Sequence, residues 1–221
     1  MHPFNPNNSS PDSNPMEAIA LTSLETIPII GSVLSKMYSN YTADERHQRL
    51  TSFINDIDLS TKCNLNQLKD KLEHLEQEQR KFISSLMQRT LNAVQEEIFY
   101  EEKKQYFRNI FLNIIENPPK KVPNHDLEVY WIECLHRFQL TEVEILKEIN
   151  KNLKQTRSHV YTLDQIASMF GSIDKIAIQA AISKLDSFGF FDITPGGIDK
   201  RYKLNALGIG FINYCMKTQT L

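Results

Sequence analysis

Between Gly31 and Pro118 the chain contains neither glycine nor proline, an interval of 86 residues. In a helix interior glycine costs about 1 kcal/mol and proline about 3 kcal/mol relative to alanine, so so long an interval without either is suited to α-helix. Hairpins and meanders over the same length would need turns, and turns draw first on these two residues. The expected fold is mainly α, with an N-terminal helical domain over residues 17–140. Residues 1–16, rich in Pro, Asn and Ser, have the composition of a disordered tail and are set apart from it.

Within the interval, Thr42-Ala-Asp-Glu45 has the form of a capping box and predicts a helix running to about Asp58. From Leu65 the apolar positions Leu68, Leu72 and Leu75 follow at three- and four-residue steps. The stripe continues through Phe82, Leu86, Leu91, Val94 and Ile98, predicting one long amphipathic helix or two abutting ones. The flanking KDKLEHLEQEQRK resembles coiled-coil surface, but Gln79 interrupts the seam, so packing within the chain is expected ahead of dimerisation. Tyr106, Phe107, Ile110, Phe111 and Ile114 form a further stripe that ends at Asn117-Pro118. Beyond that loop, Asn124 or Asp126 caps a helix bearing Leu127, Tyr130, Trp131, Cys134 and Leu135, and Thr141-Glu-Val-Glu144 opens another that reaches about Leu153.

Residues 141–221 have a different rhythm. His159-Val-Tyr161 is strand-like, and Thr162-Leu-Asp-Gln165 is a capping box before the helix LDQIASMF, which Gly171 ends in a left-handed turn. Ser172 then caps a second helix, closed by Gly189. Phe190–Thr194 and Arg201–Leu204 are strands around the turn cluster Pro195-Gly196-Gly197, and Asn205 caps a final helix. Two helices joined by a short link and followed by a glycine hairpin are the parts of a helix-turn-helix with a β-hairpin wing.

The run ISKLDSFGFFDI followed by RYKLNALGIGF resembles the pattern of bacterial winged-helix regulators. That resemblance covers about 60 to 75 residues and rests on element order. It implies a second helix in the major groove and a wing on the backbone or in the minor groove. Ser172, Asp174, Lys175, Gln179 and Lys184 would then lie near bases, and Lys200 and Arg201 near phosphates. Lys175 and Lys184 are the only cations of that helix, beside Asp174 and Asp186, and it has no arginine. Docking of a protein partner therefore stays open beside duplex DNA.

Charge separates the two parts weakly. Residues 141–221 carry ten Lys and Arg against eight Asp and Glu, whereas residues 1–140 carry fifteen against nineteen. Three dispersed cysteines form no disulfide framework, which points to a reducing cytoplasm. The six histidines give no ligand set, since Cys134 and His136 are two residues apart on a helix and face different ways. GxSxG, P-loop and Gly-rich phosphate motifs are absent. The expectation is a non-enzymatic protein without metal or cofactor, a helical sensing or dimerisation domain coupled to a winged helix. Glu96-Glu97 and Glu101-Glu102 read as solvated helix surface, and the aromatics from Phe99 to Trp131 as core.

Near the N-terminus, Ile27, Ile29, Ile30, Val33 and Leu34 surround Pro28, which suits a first helical turn. This apolar run is well short of the ~20 residues that span a bilayer, so a buried helix is expected. Its IPxxG form, with the bundle and the winged helix, resembles a set of uncharacterised bacterial proteins, some thought to act in phage defence. Beside the regulator stands an alternative, a protein-interaction or defence module in which the winged helix docks a partner and the apolar Ile27–Leu34 helix engages a membrane.

Overall fold

The computed structural model describes residues 23–38, 45–98, 100–118, 126–155, 160–171, 173–196 and 199–216. The predicted tail at 1–16, the caps Thr42, Asn124 and Ser172, and His159, Phe99 and Gly197 lie outside them. The described chain is mainly helical with one small antiparallel sheet. After a 3-10 turn at Ser23–Thr26 come α1 (Pro28–Tyr38), α2 (Glu45–Thr61), α3 (Leu65–Glu73), α4 (Gln77–Glu96) and α5 (Tyr100–Glu116). Next are α6 (Asp126–Arg137), α7 (Leu140–Gln155), β1 (Tyr161–Thr162), α8 (Leu163–Ser168) and α9 (Lys175–Ser187). The hairpin β2 (Phe191–Gly196) and β3 (Asp199–Leu204) leads into α10 (Ala206–Phe211), which ends in a π-helical turn, Ile212–Met216.

The long apolar stripe resolves into two helices. A capping box at Glu76, whose backbone amide donates to Gln79 Oε1 at 3.0 Å, starts α4 afresh after α3, so Gln79 is a cap rather than a flaw in a seam. Ile83, Leu86, Met87, Leu91 and Val94 are buried, and α4 packs on α1, α2, α5 and α6. Ile98, assigned to the stripe from sequence, lies beyond the end of α4 and is 84% exposed. The start of α7 also differs from expectation. Glu142 Oε2 accepts from the Gln139 amide at 2.8 Å, so the helix begins at Leu140, and Glu144 instead pairs with Lys147.

The C-terminal elements follow the expected order with local corrections. Thr162 and Gln165 form the predicted capping box of α8, which ends at Ser168, before Gly171, and Gly171 does not adopt a positive φ. Asp174 caps α9 by accepting from the Ile176 amide at 3.0 Å. Gly189 closes α9 at φ +69°, a conformation that glycine adopts without the Cβ clash of other residues. Pro195 and Gly196, expected in the turn, belong to β2, which pairs with β3 as far as Gly196 opposite Asp199. β1 pairs with β3, giving the order β1-β3-β2.

One apolar core runs from Leu24 to Cys215 and crosses the boundary expected at 140. Asn109 Nδ2 donates to the Cys215 carbonyl at 2.9 Å and Asn113 Nδ2 to that of Tyr214 at 2.7 Å, tying α5 to the C-terminal turn. Gly210 lies under Trp131, where a Cβ would stand 2.7 Å from the indole Cζ2. No helix among the described residues is long and apolar enough to cross a membrane.

Burial also sets the alkaline limit of the fold. It pushes the Tyr38 and Tyr130 phenols and the Cys134 thiol up to about 12, with Glu25 adding to the rise at Tyr38, and it raises Tyr100 and Tyr214 further. These groups are held neutral in the folded state and ionise earlier once unfolded. Their contribution is therefore complete below the unfolded values and is lost as pH rises from about 9 towards 12. Urea midpoints are expected to fall steadily above pH ~9.5 while holding level from pH 7 to 8.5. A level midpoint up to pH ~11 would contradict this.

Candidate functional site

The candidate surface is built by α8, α9 and the hairpin. The first turn of α8, one side of α9 and β3 enclose a polar groove of about 310 Å³, lined by Thr162, Asp164, Lys175, Gln179, Lys200 and Tyr202 among others. Three of the residues singled out from sequence, Lys175, Gln179 and Lys200, therefore share one site. Lys175 there forms an ion pair with Asp164, not with the adjacent Asp174. The Asp174 carboxylate is engaged as the cap of α9 and is not a free contact group.

Of the remaining predicted residues, Ser172 lies outside the described ones, and Lys184 and Arg201 go elsewhere. Lys184 turns away from the groove, donating to the Arg137 carbonyl at 2.9 Å and pairing with Glu142 at 3.4 Å rather than with Asp186. Lys200 and Arg201 are neighbours on β3, so the pleat sends them to opposite faces. Lys200 and Tyr202 face the groove, while Lys203, on the parity of Arg201, lines a second pocket on the other side. The expected pair of wing cations is thus divided between two surfaces.

What α9 offers outward is largely uncharged. Ile176 is 74% exposed, and Ala177, Gln179, Ala180 and Ser183 are exposed with it, whereas Ile178, Ile182 and Leu185 point into the core. Lys175 is the sole cation on this exposed face among the described residues, and it has an acidic partner. The N-terminal candidates are buried: Ile27, Ile30, Val33 and Leu34 lie at 5% exposure or less, and Ile29 is partly buried against the same core.

Sequence reasoning missed a polar junction beneath this surface. Lys103, on α5, is fully buried, with its ammonium donating to Glu97 Oε2 at 3.0 Å, to the Leu135 carbonyl at 3.0 Å and to the Phe138 carbonyl. Burial pushes Lys103 below the ordinary lysine value, and the Glu97 carboxylate opposes that shift. With Lys184 on the Arg137 carbonyl, two lysines thus satisfy three carbonyls at the C-terminal end of α6, where a helix leaves such groups unpaired and favours positive charge. Glu97 was expected on a solvated helix face. It lies just past the end of α4 with extended backbone, which turns its side chain inward, where it is 3% exposed. The sequence offers one weak signal for this: the acidic pair Glu96-Glu97 falls where two long helices must meet.

Cys134 and Cys215 are buried free thiols raised by burial, and no group of His, Cys, Asp or Glu among the described residues is arranged to hold a metal ion. Comparison with protein-family models, curated proteins and solved structures finds no match to this chain.

Proposed function

We propose that this chain is a non-enzymatic regulatory protein whose C-terminal elements form a winged helix-turn-helix that docks a protein partner through the outer face of α9. Supporting the architecture are the order α8, short link, α9, hairpin, and the pairing of β1 with β3. Supporting the choice of partner is one observation above the others, the neutral face of α9 around exposed Ile176. Covering an isoleucine is worth about 1.5–3 kcal/mol, against about 0.2–1 kcal/mol for a solvated ion pair such as Lys175 with Asp164. Apolar docking therefore outweighs charge on this helix. The single lysine also gives little of the phosphate contact that duplex DNA rewards.

The test is a photo-cross-linker, p-benzoylphenylalanine, at Ala177 in cells of the source. It is expected to capture one protein species, and Ile176→Asp should abolish the capture. Cross-linking to nucleic acid, or capture indifferent to Ile176→Asp, would overturn the reading.

A second reading, duplex DNA, draws support from Lys200, Arg201 and Lys203 on β3, which form no ion pair among the described residues. Binding to a random duplex is expected to depend on salt with a logarithmic slope no steeper than about −2. A slope beyond about −5 that weakens with Arg201→Ala would favour DNA instead.

A further inference from the structure

We infer that the second pocket, between α7, β3 and the C-terminal turn, is a binding site for a small aliphatic carboxylate. Its volume is about 320 Å³, at the lower end of the roughly 300–1,000 Å³ typical of small-molecule sites. The floor consists of Leu153, Leu204, Ile209 and Ile212, all branched aliphatic side chains. With no aromatic face among the described lining residues there is nothing there for a planar ring to stack on, so a flexible alkyl chain is the better fill. At 43% exposure Ile209 leaves apolar surface open to water that such a chain would cover.

The rim decides the head group. Among the described residues it carries Lys203, Asn150 and Asn213 and no acid. None of the three has a side-chain hydrogen bond or ion pair among the described residues, although Asp192 lies opposite Lys203 in the strand ladder. One ammonium and two amides provide donors for a carboxylate and a single positive charge to balance it. A phosphate dianion would leave charge unmatched, and a cation would meet Lys203. The pocket is independent of the α9 face, being on the reverse side of β3.

The probe is decanoate, titrated calorimetrically into the full chain below its micelle concentration, with decyltrimethylammonium and decanol as controls of equal tail length. Saturable one-to-one binding is expected, at least about tenfold tighter for the anion than for the cation. Lys203→Ala should weaken it about fivefold, the scale of a partly solvated ion pair. Ile209→Asp should abolish it by placing a carboxylate in the floor. Two controls separate this from general damage. Ile193→Asp, at another exposed isoleucine on the opposite face of the hairpin, and Ile176→Asp on α9 should leave decanoate binding unchanged. Absence of saturation, equal affinity for the cation, or equal effects of Ile209→Asp and Ile193→Asp would overturn the inference. Retention of the protein on phosphatidylglycerol vesicles through Ile209, with no binding of free decanoate, would also overturn it in favour of a membrane surface.

Discussion

Lys103→Ala is expected to lower the free energy of unfolding by about 3–5 kcal/mol, the range found when one partner of a buried ion pair is removed. Two losses combine. The Glu97 carboxylate, 3% exposed, is left without its ammonium, and the carbonyls of Leu135 and Phe138 lose their shared donor. These shares separate experimentally. Removing the carboxylate as well, in Lys103→Met with Glu97→Leu, takes away the buried charge but leaves both carbonyls without that donor, at about 1–3 kcal/mol together. The double variant should therefore recover part of the loss and stay below the parent. Urea unfolding followed by circular dichroism measures both. A single variant within 1 kcal/mol of the parent, or a double variant no more stable than the single, would show that the junction is not held as described.

That junction also shows where sequence reading stops. Local features are legible in the sequence: the avoidance of glycine and proline gives helices, Thr162 with Gln165 gives the cap of α8, and Gly189 gives the left-handed exit of α9. Each of these is decided within a few residues, by one side chain and its neighbouring amides. Lys103 is decided otherwise. In sequence it stands in a run of charges, EEKK, that suits a solvated helix face, and only the arrival of the α6 carbonyls from more than 30 residues away makes burial favourable. Lys184 follows the same logic. From sequence it neighbours Asp186 and a DNA contact is natural, yet α7 packs on α9 and brings Glu142 to it.

The hairpin cations show a second kind of limit. Lys200 and Arg201 count as a pair in composition, but a strand's pleat divides any two neighbours between faces. The positive charge that seemed to mark one surface therefore serves two, a groove beside α9 and an aliphatic pocket beside α7. Alternation was legible; which parity faced which element depended on where α7 and α9 pack.

The corner between α6 and α7 carries the second large effect. Phe138 is 1% exposed, and its ring meets those of Phe188, Phe190 and Phe211 at 5.2, 5.6 and 5.5 Å, the first two nearly perpendicular. Its partners come from the end of α9, the entry to β2 and α10, so a single side chain fastens the C-terminal elements to the bundle. Edge-to-face pairs add about 0.5–1.5 kcal/mol each beyond area burial, and truncating a buried phenylalanine costs about 3–5 kcal/mol. Phe138→Ala is expected at or above the middle of that range, because three rings lose their common partner at once. Ile176→Ala, at 74% exposure, should stay within about 0.5 kcal/mol of the parent and serves as the control. The form of the transition is as informative as its midpoint. Trp131, the chain's one tryptophan, packs on Tyr214 at 5.1 Å and over Gly210, so its fluorescence reports contact between α6 and the C-terminal turn. Because the apolar core is continuous from Leu24 to Cys215, fluorescence and circular dichroism should shift together in Phe138→Ala. A fluorescence transition that precedes the dichroism change would mean that the C-terminal elements detach as a unit, and that the bundle and the hairpin region are two cores in contact.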